Sequence, residues 1–311
     1  MYKISILVIS RTSVLLNELL NSILHASKID KSYIEILCSW NGSNQDYLSI
    51  QKNIYPNFDI QIIEPYHFAS NMNLLISRAK GEYILLVNDD VLLDPGSIDK
   101  AIEFFETSSE VGLLGGNLRD RRGTLMHCGL LFNIFHLPYH FLEGLVNHDN
   151  EIVFSKNYKI SAVTGALMLT KTEIIKDLRF NPKYKICGED IELCLDIREK
   201  FNLSIFYTYG FSGIHESETT RKITEDQNSS LKDKFLISTR YLRFILRSSI
   251  DNLIDEYKFN KMILYAYSEN NIDLSVKSRN YKWNMMFWIF IYYLKILILL
   301  RKALRMFFLP Y

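Results

Sequence analysis

The segment Asn88-Asp89-Asp90 carries the side chains in this chain that are best suited to chemistry. It directly follows residues 83–87, five consecutive apolar residues that predict a strand buried on both of its faces. Polar side chains after such a strand lie at the edge where open α/β sheets bind their ligands. Their oxygens suit a hard divalent cation, Mg²⁺ or Mn²⁺, that holds a diphosphate, although a plain polar turn has a similar composition.

Strands and helices alternate through about the first 115 residues. This alternation is typical of βαβ units and predicts a single mixed, mostly parallel sheet flanked by helices. Pro95 is expected in the first turn of its helix, and Gly115-Gly116 is expected to close the fifth strand. The predicted strands are residues 4–9, 34–38, 60–63, 83–87 and 111–114, and the predicted helices are residues 14–25, 70–79 and 95–106.

The rest of the chain has a less regular pattern. We predict a catalytic domain at residues 1–225 and a C-terminal helical region at residues 226–311. The predicted elements here are strands at 124–135, 159–169 and 204–209, a loop rich in histidine and aromatic residues at 136–148, a helix at 190–201, a polar loop at 219–230, and helices from 231 onward.

The composition limits the partners and the compartment. Apolar residues make up 48% of the chain and the formal net charge is +1 at pH 7. Such a chain can bury a sizeable core, and its charge disfavours a nucleic acid as the partner. The four cysteines form no Cys-x-x-Cys pair. We therefore expect reduced core thiols and a reducing compartment.

Several blocks of the sequence resemble the family 2 glycosyltransferases in their order and spacing. The resemblance extends over about residues 3–220. It implies one α/β domain, built from two abutting Rossmann-like halves, that binds a nucleotide-diphospho-sugar and a divalent metal. It also implies sugar transfer with inversion at the anomeric carbon. The blocks are residues 68–73, 78–90, 165–168, 188–195 and 214–215.

Inverting transfer needs a base that removes a proton from the acceptor hydroxyl. The resemblance assigns this role to Asp190, which opens a predicted helix within Gly188-Glu189-Asp190. Glu189 and Asp190 also suit the N-terminus of a helix as capping carboxylates, and the two roles can coexist. Glu189 and Glu192 are interpreted either as contacts to the acceptor or as residues that solubilise the helix.

The resemblance assigns the metal to Asp90 and to His215, which corresponds to a family histidine that completes the metal shell. Asn88 stands where the family has an aspartate, and suits a ribose hydroxyl or a weaker metal contact through its carbonyl oxygen. Asp89 is expected to orient this turn on the donor side. The other histidines show no ligand spacing and receive no role: His25, His67, His127, His136, His140 and His148.

Five further side chains are expected around the donor. The resemblance places Asn73 near the donor, and Arg78 can pair with a phosphate, although each can equally be a helix cap or a surface ion pair. Arg11, at the edge of the first strand, is a candidate for the same task. Arg221 and Lys222, in the polar loop, could fold over the diphosphate when the donor binds, although a charged loop is usually just solvated.

Trp40 stands at the position where the family usually has an aspartate that recognises the nucleobase. Its ring can stack on a base, and we expect this donor contact, but it cannot accept a hydrogen bond from a base N–H. A thymidine-linked donor is therefore as plausible as a uridine-linked one.

Residues 283–300 are nearly all apolar. As a helix they would extend about 27 Å, close to the roughly 30 Å of a bilayer core. Three interpretations stay open: an anchor lying in the membrane surface, a single membrane span, and a helix buried on the catalytic domain. Membrane contact would place the protein at the cytoplasmic face of the cell membrane.

The sequence as a whole thus predicts a metal-dependent, inverting glycosyltransferase that moves a hexose or deoxyhexose. The acceptor would be a hydroxyl of a glycan or a lipid-linked acceptor, as in rhamnosyltransferase-like members that build surface polysaccharides such as O-antigen or capsule. The alternative is a non-catalytic protein that binds a nucleotide sugar, or that assembles at the membrane with another transferase.

Overall fold

A mixed sheet of ten strands forms the centre of this computed structural model, which describes residues 2–149, 157–215, 227–269 and 281–308. The strands are β1 Tyr2–Ser10, β2 Ile34–Trp40, β3 Phe58–Ile62, β4 Gly81–Val87, β5 Val91–Leu93, β6 Val111–Arg119, β7 Leu125–His127, β8 Leu130–Phe132, β9 Pro138–His140, β10 Tyr158–Lys159, β11 Leu167–Lys171 and β12 Ser204–His215. The α-helices are α1 Ser13–Ala26, α2 Asn44–Leu48, α3 Phe68–Arg78, α4 Ser97–Thr107, α5 Thr172–Leu178, α6 Glu189–Lys200, α7 Gln227–Arg247, α8 Ile250–Glu269 and α9 Tyr281–Phe308.

The strand order along the sheet is β10-β12-β6-β11-β4-β1-β2-β3, with β5 beside β12 and β7 beside β6. Strand β1 pairs in parallel with β2 and β4, β2 with β3, and β6 with β12. Strand β11 runs antiparallel between β4 and β6. Six strands therefore point in one direction, which confirms the predicted mixed, mostly parallel sheet.

Burial on both faces explains the continuous apolar runs in the sequence. In β1, Ile4 and Ile6 face one cluster of buried side chains, while Leu7 faces the other. A strand covered on two faces needs apolar residues at successive positions rather than at alternate ones. The predicted strands of the first 115 residues and the helices between them are all present in the structure.

Two predicted boundaries in this region are wrong. Pro95 precedes α4, because Ser97 N–H bonds to the Asp94 carbonyl and Gly96 has a left-handed φ of 72°, so a turn comes before the helix. Gly115 and Gly116 lie inside β6 instead of ending it. A Cβ atom on either one would overlap a side chain from the segment that enters β11, Val163 or Leu167. These glycines therefore permit close packing within the sheet.

The region after β6 has shorter strands than predicted. Residues 160–166 leave the sheet between β10 and β11, and the Leu130 N–H bonds to the Ala162 carbonyl oxygen at 2.7 Å. In contrast, β12 continues past the predicted end at residue 209 to His215, through an irregularity between Thr208 and Ser212. Helix α7 begins at Gln227, inside the predicted loop, and Arg221 and Lys222 lie outside the described residues.

Helices α7 and α8 share a hydrophobic core with α6. A buried polar group connects them, in which Arg198 of α6 pairs with Glu256 of α8. The same carboxylate accepts hydrogen bonds from the Tyr241 hydroxyl at 2.6 Å and from Ser161 Oγ at 2.9 Å. Removing one partner of such a buried pair typically costs about 3–5 kcal/mol, so the packing of α7 and α8 is coupled to α6.

Helix α9 has two different faces. Phe290, Leu294 and Ile298 are buried against the rest of the protein. The opposite face is exposed, and we call it the apolar stripe. In the parts of the chain that the structure describes, no helix is long and apolar enough to cross a membrane. The single span that the sequence left open would need such a helix. The apolar stripe consists of Trp288, Ile289, Tyr292, Ile296, Leu299 and Leu300.

Candidate active site

The carboxyl ends of the parallel strands β1 and β4 lie side by side and join two polar side chains. Ser10 Oγ donates a hydrogen bond to Asp89 Oδ2 at 2.6 Å, and both residues are buried. Burial, together with the nearby charge of Asp90, raises the pKa of Asp89 to about 6, against the lowering effect of the hydrogen bonds from Ser10 and the Arg11 backbone. Asp89 therefore fixes the turn after β4 to the end of β1.

Asp90 and His215 meet because β5 pairs with the end of β12, where Val91 lies opposite His215. His215 Nε2 is 3.2 Å from Asp90 Oδ1. This buried oxygen nevertheless has no hydrogen-bond partner. A buried carboxylate oxygen without a partner is costly, unless a ligand supplies one.

The chemistry of this pair fits a divalent cation. A carboxylate oxygen and an imidazole nitrogen can both be ligands of Mn²⁺. Mg²⁺ commonly binds one or two carboxylates together with water and substrate phosphates. Within the described residues, no group of three or more His, Cys, Asp and Glu side chains could hold a metal ion. Asp90 and His215 are thus the pair of side chains that would hold a cation at this position.

Asp190 lies in the first turn of α6, after Gly188, whose φ of 111° only glycine adopts readily. Its Oδ2 atom accepts a hydrogen bond from the Gly165 N–H at 2.8 Å, and its Oδ1 atom accepts one from the Ile191 N–H at 2.8 Å. The side chain is half-buried. Asp190 therefore lies at the N-terminal end of a helix, as the sequence predicts. Its carboxylate is oriented by the Gly165 N–H, which lies outside that helix.

One short segment connects the turn after β4 with Asp190. Strand β11 starts where β4 ends, since Leu167 is paired with Val87. Just before β11, the Ala166 carbonyl oxygen accepts a hydrogen bond from the Asn88 N–H at 3.0 Å. The neighbouring Gly165 N–H bonds to Asp190. The candidate metal ligands and the candidate base therefore lie at the same edge of the sheet.

A pair of histidines that the sequence does not single out supports this segment. His127 Nε2 accepts a hydrogen bond from the Thr164 N–H at 3.3 Å, and its Nδ1 atom is 3.0 Å from His140 Nδ1. Burial lowers the pKa of His127 well below its usual value, and the neighbouring imidazoles of His140 and His215 lower it further. His127 is therefore neutral, with its proton on Nδ1. No sequence spacing signals this contact, because it depends on how short strands fold back.

Three side chains that the sequence places near the donor have other partners in the structure. The Trp40 ring is 0% exposed and packs in the core, edge-on to Tyr47, so it cannot stack on a nucleobase. Asn73 donates to the Phe180 carbonyl and accepts from the Phe180 N–H, both at 2.8 Å, which uses its side chain to join two segments. Arg78 is the last residue of α3 and pairs with Asp59. This ion pair lies near the amino end of β4, whereas the candidate site lies at the carboxyl end.

The other predicted contacts lie near the site with defined neighbours. The Arg11 guanidinium is stacked over the Tyr66 ring, 3.9 Å from its centre, at the end of β1. Glu189 is buried at the first position of α6. Glu192 accepts a hydrogen bond from the Asn181 side chain at 3.0 Å, so it stabilises the segment before α6.

The sequence matches one family over most of its length. A model of the glycosyltransferase-like family 2 matches residues 3–230. The chain is 25% identical over 165 residues to the O-antigen biosynthesis protein RfbC of Myxococcus xanthus, which covers 51% of this chain and 13% of that protein. It is also 26% identical over 144 residues to the uncharacterized protein y4gI of Sinorhizobium fredii, 43% of this chain and 15% of that protein. The chain thus spans a small part of these curated relatives.

Solved structures share the fold. The crystal structure of S. aureus TarS 1–349 in complex with UDP has a TM-score of 0.55 and 17% identity, over 86% of this chain and 72% of that one. The crystal structure of GalNAc-T7 with UDP, GalNAc and Mn²⁺ has a TM-score of 0.53 and 12% identity, over 69% of this chain and 44% of that one.

Proposed function

Because the chain belongs to the family 2 glycosyltransferases, we propose that it moves a sugar, with inversion, from a nucleotide-diphospho-sugar to a hydroxyl of a glycan or lipid-linked acceptor. The observation that carries this proposal is the segment Gly165-Ala166, which contacts both Asp190 and the turn after β4. A base and a diphosphate site at one sheet edge are what such a transfer needs.

Asp190 acts as the base in this proposal. The Gly165 N–H orients its Oδ2 atom, so the carboxylate can face an acceptor hydroxyl and remove its proton as the new glycosidic bond forms. The nucleoside diphosphate departs from the opposite side of the anomeric carbon. A divalent cation held by Asp90 and His215 would neutralise charge on the departing diphosphate.

The donor and the pathway are proposed from the relatives. The TarS structure contains UDP and the GalNAc-T7 structure contains UDP with Mn²⁺, which supports a nucleotide-sugar donor and use of a cation. Since Trp40 is buried, the nucleobase would be recognised by other groups. The similarity to an O-antigen biosynthesis protein supports a role in surface polysaccharide assembly.

The apolar stripe supports a further part of the proposal, that α9 lies in the surface of a membrane. Its exposed residues recur at helical spacing, and residues 281–308 contain no aspartate or glutamate. The basic residues Lys295, Lys302 and Arg305 are also exposed. Apolar and basic side chains together suit an anionic lipid surface, such as the cytoplasmic face of the cell membrane.

The substitution Asp190→Asn tests the proposed reaction. The assay uses a panel of nucleotide sugars with and without Mn²⁺. We expect the wild type to release nucleoside diphosphate when both acceptor and Mn²⁺ are present. Asp190→Asn should lower this turnover by about 10²–10⁴-fold while donor binding is retained. Asp177→Asn makes the same change at an exposed position and should have no effect. Equal turnover in Asp190→Asn and the wild type would exclude Asp190 as the base.

A further inference from the structure

Asp233, on helix α7, holds the segment that leads into Asp190. Its side chain is 0% exposed. Its Oδ2 atom accepts hydrogen bonds from the backbone N–H groups of Lys185 at 3.1 Å, Ile186 at 2.7 Å and Cys187 at 3.3 Å. The Oδ1 atom also accepts from the Lys185 N–H, at 3.2 Å. Three consecutive N–H groups thus converge on one carboxylate.

This arrangement compensates a buried charge and fixes a backbone that has no regular structure. Backbone N–H groups are good partners for a carboxylate, and hydrogen bonds to charged groups are stronger than neutral ones. Residues 185–187 belong to neither α5 nor α6, so their backbone N–H groups have no partner within a helix or strand of their own. The Asp233 carboxylate on α7 accepts these hydrogen bonds instead. Losing the negative charge would leave these N–H groups poorly paired.

The segment matters because Asp190 follows it directly. After Cys187 the chain passes through Gly188, and α6 begins at Glu189. A Cβ atom at Gly188 would lie 2.8 Å from the ring of the buried Tyr184, so the entry to the helix is tightly packed. Asp233 restrains the backbone before Asp190, and the Gly165 N–H restrains the carboxylate itself.

We propose that Asp233 is a positioning residue for Asp190, which makes α7 part of the catalytic apparatus. This proposal rests on the proposed function of Asp190 as the base. Asp233 lies beyond residues 3–230, the part of the chain that the family model matches. The segment 185–187 leads through Gly188 directly into the turn that carries Asp190, so the effect should fall on the chemical step. A displacement of about 1 Å in a catalytic group can lower a rate by roughly 10²-fold.

The test uses the full chain with Asp233→Asn, which keeps the size of the side chain and removes its charge. The control is Asp251→Asn, the same chemical change at an exposed position in the first turn of α8. Hydrogen exchange of residues 185–187 is measured first. In the wild type these amides should exchange slowly, although they lie outside regular structure. In Asp233→Asn their exchange should accelerate at least about 10-fold, and in the control it should not change.

Steady-state kinetics then separate positioning from simple stability. We expect kcat to fall by about 10-fold to 100-fold in Asp233→Asn, with little change in the KM for the donor or in nucleoside diphosphate binding. Fast exchange at 185–187 in the wild type would overturn the proposal even if the variant failed to fold. Unchanged kcat in a folded variant would also overturn it. If the wild type transfers no sugar from any donor, the proposed function fails, and exchange at 185–187 still decides whether Asp233 holds the segment.

Discussion

Asp89 and Asp90 are neighbours in the chain but occupy different environments. Asp89 is buried, accepts the Ser10 hydroxyl, and has a pKa raised to about 6 by burial. Asp90 points one buried oxygen, without a hydrogen bond, towards His215. From the sequence, both carboxylates follow the same strand and their roles are separated only by resemblance. The structure separates them by their contacts, because β12 brings His215 next to Asp90, while Asp89 contacts Ser10.

The sequence pattern shows which strand a residue follows, but it does not show which distant residue its side chain contacts. Residues that follow a buried strand, such as Asp89 and Asp90, can be placed at the sheet edge from the sequence pattern. Asn73 cannot, because its partner, Phe180, lies 107 residues further along. The same limitation hides His127, whose contacts with Thr164 and His140 depend on the fold of the irregular region.

His127 should make stability dependent on pH. Above its ordinary pKa of 6.5, the folded and unfolded states are both neutral at this residue. As the pH falls below 6.5, the unfolded state binds a proton, while burial keeps the folded state neutral until its much lower pKa. The free energy of unfolding should therefore decrease on acidification, by up to about 1.4 kcal/mol per pH unit.

The substitution His127→Gln tests this dependence, since a glutamine oxygen can accept the Thr164 N–H without titrating. Urea unfolding between about pH 5 and 7 should show a smaller loss of stability on acidification than in the wild type. His25→Gln makes the same change at a histidine outside the site and is the matched control. An equal slope in His127→Gln would show that protonation of His127 does not oppose folding.

Strands and helices differ in how far the sequence determines them. The strands β1, β2 and β4 are predicted because each is buried on both faces and its sequence is a largely continuous apolar run. Strands β7 to β10 contain two or three residues each, and such short segments depend on pairing with distant parts of the chain. The predicted end of β6 at Gly115 and Gly116 is wrong for a related reason, because glycine also ends strands and the sequence does not show which neighbour approaches it closely.

Strand β6 should not tolerate a side chain at Gly116. A Cβ atom there would overlap Leu167 and lie 2.6 Å from the Phe211 carbonyl oxygen, which belongs to backbone and cannot move easily. We expect Gly116→Ala to lower the free energy of unfolding by about 1–3 kcal/mol, measured by urea or thermal unfolding. Gly210→Ala is the control, because its Cβ would meet only the flexible Lys100 side chain, at 2.9 Å and beyond. Similar losses in the two variants would contradict this account of β6.

At the scale of the whole molecule, the mixed sheet is joined to the C-terminal helices α7, α8 and α9. For these helices the sequence predicts helical structure but not how they pack. Pairing of Arg198 with Glu256, and the Asp233 contacts, show that α7 and α8 pack on the region that carries Asp190. Helix α9 is apolar on almost every side, so its sequence pattern has no periodicity from which to distinguish a buried face from an exposed one. The structure makes that distinction: Phe290, Leu294 and Ile298 face inward, opposite the apolar stripe.

The apolar stripe leads to a prediction for the whole protein. Ile296 and Leu300 are each 55% exposed and lie one turn apart, so glutamate at both positions should leave the fold intact. It should weaken binding to vesicles that contain anionic lipid by at least about 10-fold in co-sedimentation, because each buried aliphatic side chain contributes roughly 1.5–3 kcal/mol. Leu48→Glu, an exposed leucine on α2, is the control and should bind like the wild type. If Ile296→Glu with Leu300→Glu leaves vesicle binding unchanged, or instead dissociates an oligomer formed without lipid, the stripe contacts something other than a membrane.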